Sequence, residues 1–259
     1  PMELKDLRSR LLQVDEEILR LAGERQRLAS AIGQVKRGAG VPTRDWQRER
    51  QVLDHARAAA AAAGVSPALA ESLVYTLIRA SLAQQEHEGV VAGSFGGGRR
   101  AVVLGGAGRI GRWMAVFLAS QGFAVTIGDP AGPVEGFDFA SDALAAASDA
   151  DVIVVAAPLA ASAGLLRDLA ARRPRGLIFD VGSLKGPLRG GLEALRQAGC
   201  LVTSVHPMFG PDTDLLLGRH VLLLDVGVPA ATAEAREIFA STMATLVEMG
   251  LDEHDRLMG

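Results

Sequence analysis

Apolar residues recur every three or four positions through the first part of the chain, which is the spacing of one face of an α-helix. They are Leu4, Leu7, Leu11, Val14, Ile18, Leu21, Leu28, Ile32 and Val35. The position that continues this stripe between Leu21 and Leu28 is instead Arg25. We expect one long helix from about Glu3 to Lys36, with a guanidinium in its own apolar face.

Two further helices follow. The segment "GAGVP" breaks the first periodic stretch, and a second begins near Thr43 and fades before Gly64. Ser66 and Pro67 form a typical N-cap and first position for a third helix, which we expect to end near Glu88. The sequence therefore predicts an all-α, three-helix domain at the start of the chain.

After Arg99 the pattern changes to short runs of Val, Ile and Leu that alternate with helical segments. The runs are "AVVLGG", "AVTIGD", "DVIVVAA", "GLIFDV" and "HVLLLDV". Continuous apolar strands separated by helices are typical of a parallel sheet covered on both faces, so we expect an α/β domain. We expect domains at 1–90 and 99–259, joined by a flexible Gly-rich linker at 91–98.

Bulk composition narrows the function classes. The chain has 259 residues, of which 49% are hydrophobic and 22% charged, as in ordinary globular proteins. A net charge of -3 gives no general attraction to nucleic acid or acidic membranes. The single cysteine, Cys200, excludes an internal disulfide framework and fits a reducing compartment. The longest apolar run, 152–166, contains Pro158 and is too short to span a bilayer. We expect a soluble cytoplasmic protein.

The length of the first helix indicates a second copy of the chain. At 1.5 Å per residue the helix would reach about 50 Å. A compact domain of about 90 residues has a radius of gyration near 12 Å, and two shorter helices cannot cover such a stripe. We therefore expect an intertwined homodimer through the N-terminal helices.

Polar residues gather on the faces that should be buried. Lys36 returns to almost the helical angle of Arg25, and Ser81 and Gln85 continue an apolar stripe of the third helix. On the second helix the polar positions of one face are Asp45, Arg48 and Glu49. Each could be a solvated ion-pair residue, or one could fix the register of a coiled coil. An excess of cations on buried faces instead favours an anionic ligand, since unpaired buried charge costs several kcal/mol.

The helical half resembles the all-helical chorismate mutase family. The resemblance rests on "LRSRLLQVDEEIL", "ERQRLA", "GQVK", "RDWQRER" and "SLAQQ", spread from about Leu7 to Gln85. It implies an interlocked dimer and a site formed by Arg8, Arg25, Lys36, Asp45, Arg48, Glu49, Ser81 and Gln85. In the family the first arginine reaches into the other subunit's site, which would account for the different helical angle of Arg8.

The resemblance also implies roles in the rearrangement of chorismate to prephenate. Arg8 and Arg25 would hold carboxylates, because a guanidinium pairs with them through two bonds. Lys36 and Gln85 would donate to the breaking ether oxygen, and Glu49 would accept from the ring hydroxyl. The reaction is unimolecular, so we expect no cofactor and no metal in this half.

The second half opens with a dinucleotide-binding pattern. A strand, a Gly-rich turn, a helix and a second strand follow one another in "AVVLGGAGRIGRWMAVFLASQGFAVTIGD". The turn that we expect to hold the cofactor comprises Gly106, Ala107, Gly108, Arg109, Ile110 and Gly111. Asp129 closes the second strand and could be a solvated turn residue before Pro130. In this context it more readily accepts from ribose hydroxyls and repels a 2′-phosphate, so we expect a Rossmann domain that binds NAD.

Two later segments indicate a dehydrogenase. "FDVGSLKGPL" places Ser183 just past the carboxyl end of a strand, and "TSVHPMFGPD" does the same for His206, where ligands bind in such sheets. A lone histidine is often structural, but these segments and the domain order resemble the fused chorismate mutase–prephenate dehydrogenase family of tyrosine biosynthesis. That resemblance implies that His206 contacts the 4-hydroxyl of prephenate, with support from Ser183, during NAD-dependent conversion to 4-hydroxyphenylpyruvate.

The sequence leaves alternatives open. The family continues into a helical C-terminal dimerisation domain, which would begin where this sequence stops. We therefore expect either that the sequence is a fragment or that the domain is absent and the dehydrogenase is impaired. A Rossmann reductase acting on imines or β-hydroxy acids could instead follow the mutase. A third reading joins a dimerisation module to a nucleotide sensor without catalysis. The polar set from Arg8 to Gln85 argues against the last of these.

Overall fold

The computed structural model describes residues 3–258, and the predicted domain ends at Pro1 and Gly259 lie outside them. The chain forms two compact units, the first ending at Glu88 and the second beginning at Gly89. As the patterns predicted, the first unit is all-α and the second is α/β.

Three helices make the first unit: α1 (Leu4–Gly38), α2 (Trp46–Ala59) and α3 (Pro67–Gly93). The predicted cap of α3 is confirmed, because the Ser66 hydroxyl accepts a hydrogen bond from the amide of Leu69 at 3.2 Å. Helix α2 begins three residues later than expected, because the side chain of Asp45 caps it by accepting from the amide of Arg48 at 2.9 Å.

The end of α3 and the residues after it differ from the predicted flexible linker. The helix continues five residues past Glu88, to Gly93. The amides of Gly96 and Gly98 then donate to the carbonyls of Gln121 and Gly122, each at 2.8 Å. A Cβ at Gly96 would collide with the backbone of Phe123. The glycines that suggested flexibility therefore allow a close backbone contact within the second unit.

The second unit contains an eight-stranded sheet. Its strands are β1 (Arg100–Leu104), β2 (Ala124–Gly128), β3 (Asp138–Phe139), β4 (Val152–Val155), β5 (Leu177–Asp180), β6 (Val202–Pro207), β7 (His220–Asp225) and β8 (Thr245–Gly250). The spatial order is β3-β2-β1-β4-β5-β6-β7-β8. Each pair is parallel except β6–β7. The prediction of a wholly parallel sheet is wrong at β7, because the connection 208–219 carries no crossover helix and the chain returns as an antiparallel neighbour.

Helices cover both faces of this sheet. They are α4 (Arg109–Ser120), α5 (Ala143–Ser148), α6 (Leu159–Arg172), α7 (Arg189–Gln197, after a 3₁₀ turn at Gly186–Leu188), α8 (Pro229–Phe239) and α9 (Leu251–Met258). Buried side chains of α4 and α8 pack on one face, and those of α5, α6 and α7 pack on the other. Burial on both faces explains why the strands read as continuous apolar runs. Among the described residues, no helix is long and apolar enough to cross a bilayer.

Candidate functional sites

A cavity of about 270 Å³ lies among the three helices of the first unit. Seven of the eight predicted site residues line it: Arg25, Lys36, Asp45, Arg48, Glu49, Ser81 and Gln85. The eighth, Arg8, is exposed and lies seventeen residues before Arg25 on α1, or about 26 Å along the helix axis. The fold thus brings the set together, with the exception of Arg8.

Arg25 is held by the third helix. Its Nη1 donates to the carbonyl of Leu77 and to the hydroxyl of Ser81, both at 2.8 Å. The Ser81 hydroxyl in turn donates to Oε1 of Gln26 at 2.6 Å. Partial burial lowers the pKa of Arg25 from its ordinary value, but a guanidinium remains charged. Because both bonds use one nitrogen, the planar group keeps a second edge with which it can meet a carboxylate.

The cavity carries an excess of positive charge. Arg25, Lys36 and Arg48 line it together with Asp45 and Glu49. Glu49 is paired twice with Arg44, at 2.9 and 3.0 Å, and the Arg44 guanidinium lies 3.0 Å from the Trp46 ring centroid. Three cations and two carboxylates line the cavity, and Arg44, which pairs with Glu49, brings the excess to two positive charges, which suits a ligand with two negative charges. Sequence reasoning missed Arg44, which lies directly before the recognised polar face of α2.

Lys36 and Gln85 are two hydrogen-bond donors among the residues that line this cavity. Nζ of Lys36 donates to the carbonyl of Thr43 at 3.0 Å, and the amide of Gln85 donates to the carbonyl of Ala29. A Cβ at Gly33 would lie 2.9 Å from the Gln85 side chain, so this glycine lets α1 and α3 approach there. Both donors are therefore fixed by backbone oxygens at the cavity wall.

The glycine-rich turn of the second unit lies between β1 and α4, at the carboxyl edge of the sheet. A Cβ at Gly106 would come within 2.7 Å of Ile127, and one at Gly111 would collide with the carbonyl of Gly105. Gly105 itself has a φ of 84° and was missed by the sequence pattern. Gly108 is the N-cap of α4 and offers no capping side chain, so the first amides of the helix are available to a phosphate.

Asp129 sits beside this turn. One carboxylate oxygen accepts from the amide of Ala107 at 3.0 Å, and the other accepts from the amide of Ala131 at 2.8 Å. A dinucleotide fits this place, because the glycines leave room for a pyrophosphate, the N-terminus of α4 has no capping side chain and the carboxylate of Asp129 can bind a ribose. Of the other predicted turn residues, Ile110 lines the neighbouring cavity, and Arg109 forms an exposed ion pair with Asp212.

A second cavity, of about 330 Å³, lies beyond the carboxyl ends of β4, β5 and β6. Ser183 and His206 both line it, as the sequence suggested. His206 is the second-last residue of β6 rather than part of the following loop, and in the sheet it lies opposite Leu222 of β7. Burial, the Lys185 ammonium and His254 lower the pKa of His206 to about 4. The imidazole is therefore neutral near pH 7 and can accept a proton.

The lysine of the "GSLKG" segment is structural. Lys185 is fully buried, and its Nζ donates to Asp180 at 2.6 Å and to the carbonyl of Val205 at 2.8 Å. The second oxygen of Asp180 accepts from the hydroxyl of Ser204 at 2.5 Å. These bonds tie the loop that carries Ser183 to strand β6, one residue before His206. Among residues 3–258, no cluster of three or more His, Cys, Asp or Glu side chains could hold a metal ion.

Each of the two units matches a known protein family. Residues 7–86 match the family model of chorismate mutase type II. Residues 133–248 match that of the prephenate dehydrogenase nucleotide-binding domain, which begins after the glycine-rich turn. A T-protein of Enterobacter agglomerans is 29% identical over 99% of this chain and 66% of its own length. A T-protein of Haemophilus influenzae is 29% identical over 98% of this chain and 65% of its own length. The chain thus spans slightly less than two thirds of these relatives.

Solved structures resemble the second unit. An imine reductase of Myxococcus stipitatus in complex with NADP⁺ is 21% identical, with a TM-score of 0.51 over 61% of this chain and 58% of that protein. At this identity the likeness extends to the fold alone.

Proposed function

Because the chain joins a chorismate mutase type II domain to the nucleotide-binding domain of the prephenate dehydrogenase family, we propose that it is a bifunctional enzyme of tyrosine biosynthesis. The helical unit converts chorismate to prephenate. The α/β unit oxidises prephenate with NAD and releases carbon dioxide, giving 4-hydroxyphenylpyruvate. The convergence of seven polar residues from three helices on one cavity carries the first half of this proposal. A cytoplasmic setting suits it, since the single cysteine, Cys200, is buried as a thiol.

In the mutase half the protein supplies orientation and charge. Arg25 and the partner's Arg8 bind the two carboxylates of chorismate, with Arg48 beside them, and hold its folded conformer, which lowers the entropy cost of the rearrangement. Lys36 and Gln85 turn from their carbonyl partners toward the ether oxygen, on which negative charge grows as the carbon–oxygen bond breaks. Glu49, fixed by Arg44, accepts from the ring hydroxyl. Asp45 acts chiefly through the cap that starts α2 beside the site.

A homodimer completes this half. The apolar residues in the first part of α1 are 42–62% exposed: Leu4, Leu7, Leu11, Val14, Ile18 and Leu21. Such a stripe of contiguous apolar surface marks an interface. Its natural occupant is the same stripe of a second copy, since a long helix can pair with itself about a two-fold axis. Arg8, about 26 Å from its own cavity, then reaches that of the partner.

In the dehydrogenase half the residues of one sheet edge act together. Gly106, Gly108 and the first amides of α4 would hold the pyrophosphate of NAD, and Asp129 would accept from its ribose. Bound NAD would supply the acceptor for the hydride that leaves C4 of prephenate. His206 takes the proton of the 4-hydroxyl as the carbonyl forms, and the ring carboxylate leaves as carbon dioxide. Ser183, across the same cavity, orients the hydroxyl.

The two activities can be tested separately on the whole chain. Chorismate alone should yield prephenate, and prephenate with NAD should yield NADH. Arg25→Ala should abolish only the first reaction and His206→Asn only the second. Formation of prephenate that does not depend on Arg25 would contradict the mutase site. NADH formation that does not depend on His206, or that occurs equally well with an amine (the reverse of imine reduction) or a β-hydroxy acid, would contradict the dehydrogenase site.

A further inference from the structure

A buried chain of polar groups stands behind His206. Its Nδ1 lies 2.9 Å from Nε2 of His254, a side chain of α9 that is wholly buried. The other ring nitrogen of His254, Nδ1, lies 3.2 Å from Oδ1 of Asp255. The second oxygen of Asp255 accepts from Arg189 of α7 at 3.0 and 3.1 Å. Side chains of α7 and of the distant helix α9 thus meet behind the imidazole that β6 carries.

The chemistry of these groups fixes where the protons lie. An ionised carboxylate can only accept, so Nδ1 of His254 must be the donor to Asp255. A neutral His254 then has a lone pair on Nε2, which accepts from Nδ1–H of His206. His206 in turn must carry its lone pair on Nε2. For a neutral His254, the direction of each bond therefore follows from the charge of Asp255, which Arg189 maintains at the far end of the chain.

The titratable groups that face His206 from the neighbouring elements favour a neutral ring. Lys185, which follows β5, places an ammonium near it, although Asp180 of β5 partly offsets that charge. From α9, His254 faces it directly and Asp255 lies one group further away. Arg189 of α7 neutralises Asp255. A neutral ring with a defined tautomer is what a general base needs, since the wrong tautomer presents N–H where a lone pair is required.

We propose that His254 is a positioning residue for the dehydrogenase site: an Asp255–His254–His206 relay holds His206 as the Nδ1–H tautomer, with its Nε2 lone pair as the base of the site. The proposal rests on the proposed dehydrogenase function for its role, but the tautomer itself does not. In the reaction the O–H bond of the substrate breaks and an N–H bond forms at Nε2. The resulting imidazolium keeps its Nδ1–H bond to His254, which in turn is bonded to Asp255.

The wild-type chain without substrate provides the decisive measurement. Nitrogen-15 labelling of its five histidines and proton–nitrogen correlation at pH 7 distinguish protonated from unprotonated ring nitrogens. The His206 signals are assigned by their loss in His206→Gln. We expect the tautomer with Nδ1 protonated and Nε2 unprotonated to be at least about tenfold more populated than the other neutral tautomer. One hydrogen bond to a partner that is polarised by a nearby charge gives a preference of this size. A His206 ring protonated at Nε2 would overturn the proposal. No substrate enters this test, so failure of the proposed reaction would not imitate that result.

Three variants test the part played by His254. His254→Leu removes the acceptor at similar size and should shift His206 at least about tenfold toward the Nε2–H tautomer. His254→Gln places an amide oxygen near the position of Nε2 and should restore the wild-type tautomer. His55→Leu, at an exposed histidine of α2, should leave His206 unchanged. A wild-type tautomer in His254→Leu, or no recovery in a folded His254→Gln, would show that His254 does not set the tautomer of His206.

Discussion

Nη1 of Arg25 lies 2.8 Å from the Ser81 hydroxyl, so a cation of the first helix is oriented by the third. The same nitrogen binds the carbonyl of Leu77, one turn earlier on α3. This clamp explains how a guanidinium can occupy the apolar stripe of α1. Its polar neighbours replace part of the water that burial removes, and the remaining cost is met when an anionic ligand binds.

Arg25→Ala should lower chorismate mutase turnover at least about a hundredfold, because a lost hydrogen bond between charged partners costs roughly 3 kcal/mol. The chain should still fold, since alanine leaves no unpaired charge and favours the helix. Prephenate formation and circular dichroism give the two readouts. Arg27→Ala, at an exposed position of the same helix, is the matched control and should retain activity. Near-normal turnover in folded Arg25→Ala would remove Arg25 from the site.

Asp129 should set the choice of cofactor. We expect the wild type to bind NAD at least about tenfold more tightly than NADP, because a carboxylate binds the ribose hydroxyls and repels a 2′-phosphate. Asp129→Asn should narrow that ratio. Since Asp129 also accepts from the amides of Ala107 and Ala131, both affinities can fall, and the ratio is the readout that separates specificity from loop order.

Titration of both cofactors by tryptophan fluorescence measures this ratio. Asp168→Asn, at an exposed position of α6, is the control and should keep the wild-type preference. Equal binding of NAD and NADP by the wild type would mean that Asp129 does not face the ribose.

Ile18→Glu should separate the dimer. The side chain of Ile18 is 55% exposed in one copy, and a glutamate there would carry an unpaired charge into the proposed interface. Sedimentation should show a monomer, and mutase activity should fall because Arg8 of a partner can no longer reach the cavity. NAD binding should persist. Glu16→Lys, on the opposite side of α1, should remain dimeric. A dimeric Ile18→Glu would place the interface elsewhere.

Stability should depend on pH through His206. Its pKa is lowered to about 4 in the folded state, against about 6.5 when unfolded. The unfolded chain therefore binds a proton as the pH falls below 6.5, whereas the folded chain does so only near 4. The contribution of His206 to stability is full above pH 6.5, declines between 6.5 and 4, and is absent below that.

Thermal midpoints of the wild type and His206→Gln isolate this contribution from that of the carboxyl groups. The difference between the two proteins should shrink as the pH is lowered from 7 to 4.5. A constant difference across this range would mean that the pKa of His206 is not lowered by folding.

Helix periodicity predicted the first unit well because each signal was local. The apolar spacing of α1, the cap at Ser66 and the polar positions from Arg25 to Gln85 depend on residues within a few turns of one another. The prediction of the second unit was less complete. The apolar run of β7 has no feature that distinguishes an antiparallel from a parallel neighbour, so the direction of β7 depended on the missing crossover helix.

Residues whose roles depend on distant partners were the hardest to predict. His254 lies in the charged segment "DEHDR", which is typical of a solvated helix, and only the docking of α9 against β6 buries it. Lys185 lies two residues after Ser183 at the same edge of the sheet, but Asp180 and the carbonyl of Val205 use its donors. Sequence shows the groups that can form such bonds but not which partners the fold supplies.

Helix α9 is eight residues long, and a helix of that length has little stability of its own in water. Its buried histidine and the ion pairs of Asp252 and Asp255 with Arg189 hold it against the sheet. It should therefore open by local unfolding at a lower free energy than the strands, and each opening would leave His206 without its hydrogen-bond partner. The exchange of α9 amides with deuterium would then measure how often the base loses its orientation, and mild heating should uncouple that base well before the sheet melts.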